Sequence, residues 1–248
     1  MTTGPALRCL VYAAVALLVA IGVVAGIART VYLDDLGRRA EPVRLRALET
    51  RGVVDPRAAQ RALEVAVIDD RFASHRAATL LHVLAGTLFL GLAPLQFSSR
   101  IRGRYIALHR WSGRLLLVTG ILTTIAGMYF GVLMPFAGVP EAIVIGLVGT
   151  FFLFAISTAF MAIRRRDVAR HRAWMIRAFA VAMGISTVRL VSIPLDLAMT
   201  SRGFSTRTIF VLSLWLGWIL TAAGAEVWLA YTRRTAKLAP APVGVAEV

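Results

Sequence analysis

The chain has 248 residues, of which 58% are hydrophobic, and its mean hydropathy of +0.73 excludes a water-soluble globular protein. Its formal net charge of +15 does not indicate nucleic-acid binding, because the excess of basic over acidic residues falls mostly in short segments between apolar runs and in the tail. The single cysteine, Cys9, excludes an internal disulfide and a thiolate metal cluster.

Six apolar runs are long enough to cross a hydrocarbon core of about 30 Å, which takes about 20 helical residues. These runs are residues 8–28, 77–97, 113–134, 142–163, 173–193 and 208–231. A transmembrane β-barrel would instead show alternating segments of about ten residues. The predicted fold is therefore all-α, a polytopic transmembrane helical bundle of about six spans with an extracytoplasmic helical segment between spans one and two.

The predicted organisation has four parts in chain order. Residues 1–28 form the first transmembrane helix or an uncleaved signal anchor, although a cleaved signal peptide stays an alternative. Residues 29–76 form an extracytoplasmic helical loop, in which 57–74 read as an amphipathic helix that acts as a structural lid or a substrate gate. Residues 77–231 form a five-helix transmembrane domain, and 232–248 form a disordered cytoplasmic tail.

The distribution of arginine predicts the topology. Arginines are concentrated between spans two and three, between spans four and five, and after span six, whereas the opposite connections, 135–141 and 194–207, carry only Arg202 and Arg207. By the positive-inside rule both termini are predicted to be cytoplasmic, in a multi-pass protein of a bacterial inner membrane. The expected partners are the lipid bilayer and anionic lipids at the cytoplasmic face, with no nucleic acid. Protein partners cannot be inferred.

Five ionisable residues inside the spans are candidates for function, because such groups are costly in hydrocarbon. Counting 1.5 Å per residue places His82 and Arg189 in one layer toward the outside. Arg114, Arg177 and Glu226 fall in a second layer toward the cytoplasm, where Arg177 and Glu226 are natural partners. The surplus positive charge has two interpretations. The arginines extend to the headgroups, or they face inward and bind an anionic ligand, with His82, Arg189 and Glu226 as candidate ligand-binding residues.

His109 and His171 lie at similar depths near the starts of two spans. Two imidazoles from different helices at equal height suit a b-type haem, with Arg114 and Arg177 as anchors for its propionates. The depth of about 20 Å from the midplane lies beyond the half-thickness of about 15 Å of the hydrocarbon core. It therefore favours the alternative of interfacial residues that bond phosphates or backbone. Another metal or a proton relay is the third interpretation, and the metal, if any, stays unknown.

Three classes of function are consistent with these residues. They are a haem-binding or other redox membrane protein, a transporter or binder of an anionic small molecule or lipid, and a structural or assembly protein. No nucleotide-binding loop, nucleophile elbow or zinc-protease motif is present, so no catalytic residue is predicted and an enzyme assignment stays uncertain.

A set of short motifs covers roughly residues 77–230. The motifs are His82 with Gln96-Phe97, His109-Arg110 with Gly113-Arg114, Arg166-Asp167 with His171-Arg172, Trp174-Met175-Ile176-Arg177, and Arg189. In these motifs the chain resembles a family of predicted bacterial membrane proteins, domain of unknown function 2306. The resemblance implies a helical membrane domain and no particular activity.

Overall fold

The computed structural model describes residues 3–33, 64 and 68–238. Its helices are α1 (Thr3–Val31), α2 (Arg76–Gln96), α3 (Ser99–Arg104), α4 (Ile106–Met128), α5 (Val139–Arg164), α6 (Val168–Thr200) and α7 (Thr206–Leu238). A π-helical turn, Tyr129–Leu133, continues α4. The described part of the chain contains no β-strand, which confirms the predicted all-α fold.

Six of these helices are long and apolar enough to cross a membrane, namely all except the short α3. The six predicted spans are therefore confirmed, but several helices are longer than the apolar runs. α6 and α7 have 33 residues each, or about 50 Å at 1.5 Å per residue. The helical hydrogen bonds continue where the sequence turns basic, so the helices extend beyond the hydrocarbon core.

The structure describes parts of two predicted segments, the tail from 232 and the amphipathic helix at 57–74. α7 continues to Leu238, so the prediction that a disordered tail begins at 232 is wrong for residues 232–238. Residues 68–74 are helical, as predicted for the end of the amphipathic segment. The remainder of that segment, 57–67 apart from Glu64, lies outside the described residues, as does 239–248.

The bundle has two chemically different ends. The loop end holds the end of α1, residues 68–75, and the connections α4–α5 and α6–α7. There Arg71 Nη1 donates a hydrogen bond to the Met134 carbonyl at 2.8 Å. The basic end holds the start of α1, the end of α7, and the connections 97–105 and 165–167. There Gln96 Nε2 donates to Ser112 Oγ at 2.6 Å.

The central core lies between α2, α4, α5 and α6. Its buried side chains are Phe89, Leu90, Ala93, Leu116, Phe152, Ala155, Ile156, Ala178, Phe179 and Met183. Helices α6 and α7 pack closely because a glycine on each faces a large side chain of the other, Gly184 against Trp218 and Gly217 against Val188. Helix α1 joins the bundle through Gly22 and Gly26, which face α2 and α6.

Candidate functional site

A cavity of about 370 Å³ lies between the six membrane-spanning helices toward the loop end. This volume is in the range of small-molecule sites in proteins. Its polar lining residues are Arg29, His82, Thr87, Thr123, Thr124, Glu141 and Arg189. The larger apolar part of its wall is rich in aromatic rings, namely Phe72, Phe89, Phe130, Phe152, Phe210 and Trp218.

His82 is held in the cavity wall by a neighbouring helix. Its Nδ1 lies 2.8 Å from the carbonyl oxygen of Thr123 on α4, and the Thr123 hydroxyl donates to the His82 carbonyl at 2.8 Å. A carbonyl oxygen only accepts, so Nδ1 carries the hydrogen. Among the described residues Nε2 has no hydrogen-bond partner, which leaves it available to a molecule in the cavity.

Gly127 makes this position of the His82 ring possible. A Cβ at residue 127 would lie 2.8 Å from Cε1 and 3.1 Å from Nδ1 of the ring. Any side chain there would push the imidazole away from its partner on α4. The ring is therefore fixed by one carbonyl and one glycine of the same helix.

Arg189 is an exposed side chain that also lines the cavity. Its Nη1 donates to the carbonyl of Ile185, one turn earlier in α6, at 3.1 Å. It lies close enough to His82 for its charge to act on the ring. Within the described ranges no carboxylate pairs with Arg189, so its guanidinium keeps donors for another acceptor.

Arg29 brings α1 into the site. Its Nη1 forms an ion pair with Asp69 at 2.7 Å, and its guanidinium carbon lies 4.7 Å from the centroid of the Phe72 ring. Both partners belong to the helical residues 68–74, so the end of α1 is tied to the segment that precedes α2. Asp69 thereby balances the charge of Arg29, whereas Arg189 has no carboxylate partner among the described residues.

Glu141 is the carboxylate of the cavity wall, yet it is committed to the backbone. Its Oε2 accepts from the Ala137 amide at 2.7 Å, in the connection between α4 and α5. This bond orders the turn that precedes α5, where Gly138 has a φ of 72°. The charge of Arg71 also acts on Glu141. Among the described residues, the cavity wall therefore holds one arginine, Arg189, that forms no ion pair with a carboxylate.

The wall also includes the π-helical turn, through Phe130 and Gly131. π-Helical turns interrupt the regular ladder and are frequent at functional sites. Phe130 and Gly131 at the irregular end of α4 thus line the cavity, whereas Leu133 in the same turn is exposed.

Comparison with known families decides the relationship that the motifs suggest. The family model described as "Predicted membrane protein (DUF2306)" matches residues 79–229. The chain belongs to this family. The DUF2306 match covers α2 to α7 almost completely and leaves out α1, so His82 and Arg189 lie inside it and Arg29 lies outside. No curated protein and no solved structure matches the chain.

In the DUF2306 region, His82 and Arg189, which are predicted to share one layer, both line this cavity. Sequence reasoning missed Arg29 and Glu141 as members of the same wall. For Arg29, the spacing of Gly22 and Gly26 in the same helix is a signal, since small residues four apart favour close helix contact. No sequence signal distinguishes Glu141 from an ordinary residue in the first turn of a helix.

His109 and His171 lie at the basic end, away from the cavity. Each is the fourth residue of its helix, α4 and α6 respectively. His171 Nδ1 bonds the Ala159 carbonyl on α5 at 2.9 Å. Among the described residues the buried His109 Nδ1 has no hydrogen-bond partner, and His171 is close enough to act on His109 electrostatically.

The haem prediction gains no support from this arrangement. The cavity wall includes neither histidine, and in the described part of the chain no three His, Cys, Asp or Glu side chains come together as a metal site. The bond from His171 to α5 fits the alternative interpretation, in which a histidine near the start of a helix binds backbone.

The inner polar layer divides into two separate features at the basic end. Arg177 and Glu226 form the predicted pair, with Nε–Oε1 at 2.6 Å and Nη2–Oε2 at 2.9 Å. Arg114 is exposed, and its guanidinium carbon lies 4.8 Å from the centroid of the exposed Trp111 ring. Glu226, Arg177 and Arg114 therefore do not join His82 and Arg189 in one site.

Proposed function

We propose that this protein binds an amphipathic anion in the cavity between its six spans. The ligand would carry one carboxylate, phosphate or sulfonate group on an apolar body. The observation that carries the proposal is Arg189, which lines the cavity without a carboxylate partner among the described residues. An unpaired guanidinium among membrane helices is costly, and an anionic ligand would offset that cost.

The side chains suggest how such a ligand would lie. Arg189 would donate to the anionic group, because a guanidinium presents its N–H groups in a planar fork that fits two oxygens at once. His82 Nε2 would accept from a hydroxyl or a protonated acid group beside it, since Nδ1 is bonded to Thr123. The apolar body would contact the aromatic wall, with Phe89 and Phe152 at its deep side.

The pairing of the charged groups favours an anion over a cation. Arg29 is paired with Asp69, and the Glu141 carboxylate already accepts a hydrogen bond from the α4–α5 connection. A cationic ligand would lie beside the guanidinium of Arg189, which has no ion-pair partner among the described residues. A neutral apolar ligand would fit the aromatic wall but would leave the guanidinium unpaired.

A thermal-unfolding series tests the proposal. The protein in neutral detergent is heated with decanoate or 2-naphthoate, and separately with decanol or 2-naphthol as uncharged probes of similar shape. A ligand at a hundred times its Kd adds about 2.7 kcal/mol to stability, which corresponds to a rise in Tm on the order of 5 °C. We expect the acids to raise Tm more than the alcohols do.

Two substitutions locate the effect. Arg189→Gln should remove the advantage of the acid, whereas Arg165→Gln, which deletes an exposed arginine of the α5–α6 connection, should leave it. Equal shifts for acid and alcohol, or an undiminished shift in Arg189→Gln, would argue against an anion site. No shift with any probe would favour the structural or assembly role.

A further inference from the structure

A second recess lies on the outside of the bundle at the basic end, between α2, α3 and α4. This groove has a volume of about 430 Å³ and is lined by six apolar side chains, Leu92, Leu95, Ile101, Leu108, Trp111 and Leu115, together with Ser112. The Ser112 hydroxyl donates to the Leu108 carbonyl at 2.5 Å and accepts from Gln96 at 2.6 Å. The groove therefore offers hydrocarbon contact and almost no polar group.

Basic side chains border this groove, and the elements that form it contribute no acidic ones. Arg114 packs over the ring of Trp111, which is part of the lining. Arg102 follows Ile101 and donates from Nη1 to the Gln96 carbonyl at 3.1 Å. The sequence has no acidic residue between Asp70 and Glu141, so the elements that form the groove provide no carboxylate for these guanidinium groups.

We propose that this groove binds an anionic phospholipid of the surrounding bilayer. One acyl chain would lie along the groove, and the phosphate would pair with Arg114 and Arg102 at its rim. An apolar recess that opens laterally beside guanidinium groups matches both parts of such a lipid. Trp111 fits this placement, because an indole prefers the level of the headgroups.

Charge complementarity favours a lipid over a second copy of the chain. A symmetric dimer through this groove would bring the same surface of both copies together. The basic rims of the two copies, with Arg102 and Arg114, would then lie against each other with no acidic residue of these elements between them. The site is independent of the cavity between the spans, and either can fail without the other.

Native mass spectrometry in neutral detergent tests the site. The protein is titrated with phosphatidylglycerol and with phosphatidylcholine of the same acyl chains. We expect tighter binding of phosphatidylglycerol, and a loss of about tenfold in its affinity in the double variant Arg102→Gln/Arg114→Gln, as for the loss of a charge-assisted contact. The control Arg164→Gln/Arg165→Gln removes two exposed arginines at the same end and should retain the preference.

Three outcomes would overturn the proposal. The first is equal affinity for the two lipids, and the second is an equal loss of phosphatidylglycerol affinity in the two double variants. The third is a crosslink to another protein chain, and not to lipid, from a photoreactive benzophenone in place of Leu108. Filling the groove with Leu115→Trp gives a second readout, because this substitution should weaken the binding of phosphatidylglycerol without removing an arginine. Unchanged lipid binding in a folded Leu115→Trp variant would contradict the placement of the acyl chain.

Discussion

His82 on α2 and Thr123 on α4 are joined by two hydrogen bonds in opposite directions. The imidazole Nδ1 donates to the Thr123 carbonyl, and the Thr123 hydroxyl donates to the His82 carbonyl, both at 2.8 Å. This reciprocal pair determines which ring nitrogen remains available to the cavity. It also joins two helices by polar contacts in a region where lipid offers none.

Replacing Thr123 by Val should remove one of these two bonds while keeping the carbonyl that holds the ring. Interhelical hydrogen bonds in membrane proteins contribute about 0.6 kcal/mol on average, so we expect a loss of that order in the free energy of unfolding. Reversible unfolding in mixed detergent measures it. Among the described residues, the neighbouring Thr124 hydroxyl bonds only the Gly120 carbonyl of its own helix. Thr124→Val should therefore lower the free energy of unfolding less than Thr123→Val does.

Gly127→Ala should displace the His82 ring, since the added methyl group would lie 2.8 Å from Cε1. Overpacking of this kind costs about 1–3 kcal/mol, and we expect decanoate binding to weaken with it. Gly224→Ala is the matched control, because a Cβ built at residue 224 meets no described atom within 4 Å beyond its chain neighbours and its own helix backbone. Alanine is favoured over glycine in a helix by up to about 1 kcal/mol, so this control should be as stable as the parent or more so.

The Arg177–Glu226 pair should act in stability and not in ligand binding. The side chain of Glu226 is 55% exposed, and exposed ion pairs contribute at most about 1 kcal/mol. A double-mutant cycle with Arg177→Gln and Glu226→Gln should give a coupling energy in that range. Decanoate affinity that changes in Glu226→Gln would return Glu226 to the ligand site and contradict the separation of the two features.

The predicted topology is checked by cysteine accessibility. In a Cys9→Ser background, a cysteine in place of Ser201 lies at the loop end and one in place of Arg165 lies at the basic end. If the basic end is cytoplasmic, an impermeant maleimide should label position 201 in intact cells and position 165 only after permeabilisation. The reverse pattern would contradict the positive-inside assignment.

Hydropathy and helical rise predict where each residue lies along its span. The six spans follow from apolar length, and the shared layers of His82 with Arg189 and of Arg177 with Glu226 follow from counting residues along each span. The rotation of each helix about its own axis is not contained in that count. The count therefore places Arg114 and Arg177 at one depth, although, among the described residues, Arg114 lies over Trp111 alone and Arg177 lies over Trp174 and also pairs with Glu226.

The contacts that shape the candidate site depend on tertiary packing. The close approach of Gly127 to His82 requires the actual rotation of α2 against α4. The contribution of Arg29 depends on Asp69, which is 40 residues away in the chain. The π-helical turn after Met128 has no marker in the sequence. The bond from His171 Nδ1 to the Ala159 carbonyl on α5 is likewise a tertiary contact that depth alone does not predict.

The most direct test of the account is equilibrium binding of radiolabelled decanoate to the protein in phosphatidylcholine nanodiscs, with empty nanodiscs subtracted. The parent, Arg189→Gln, Arg189→Lys and Arg165→Gln are compared at one lipid concentration. We expect saturable binding that Arg189→Gln weakens about tenfold or more, that Arg189→Lys partly retains, and that Arg165→Gln leaves unchanged. Saturable binding that is equal in the parent and Arg189→Gln would contradict the central role of Arg189 in the cavity.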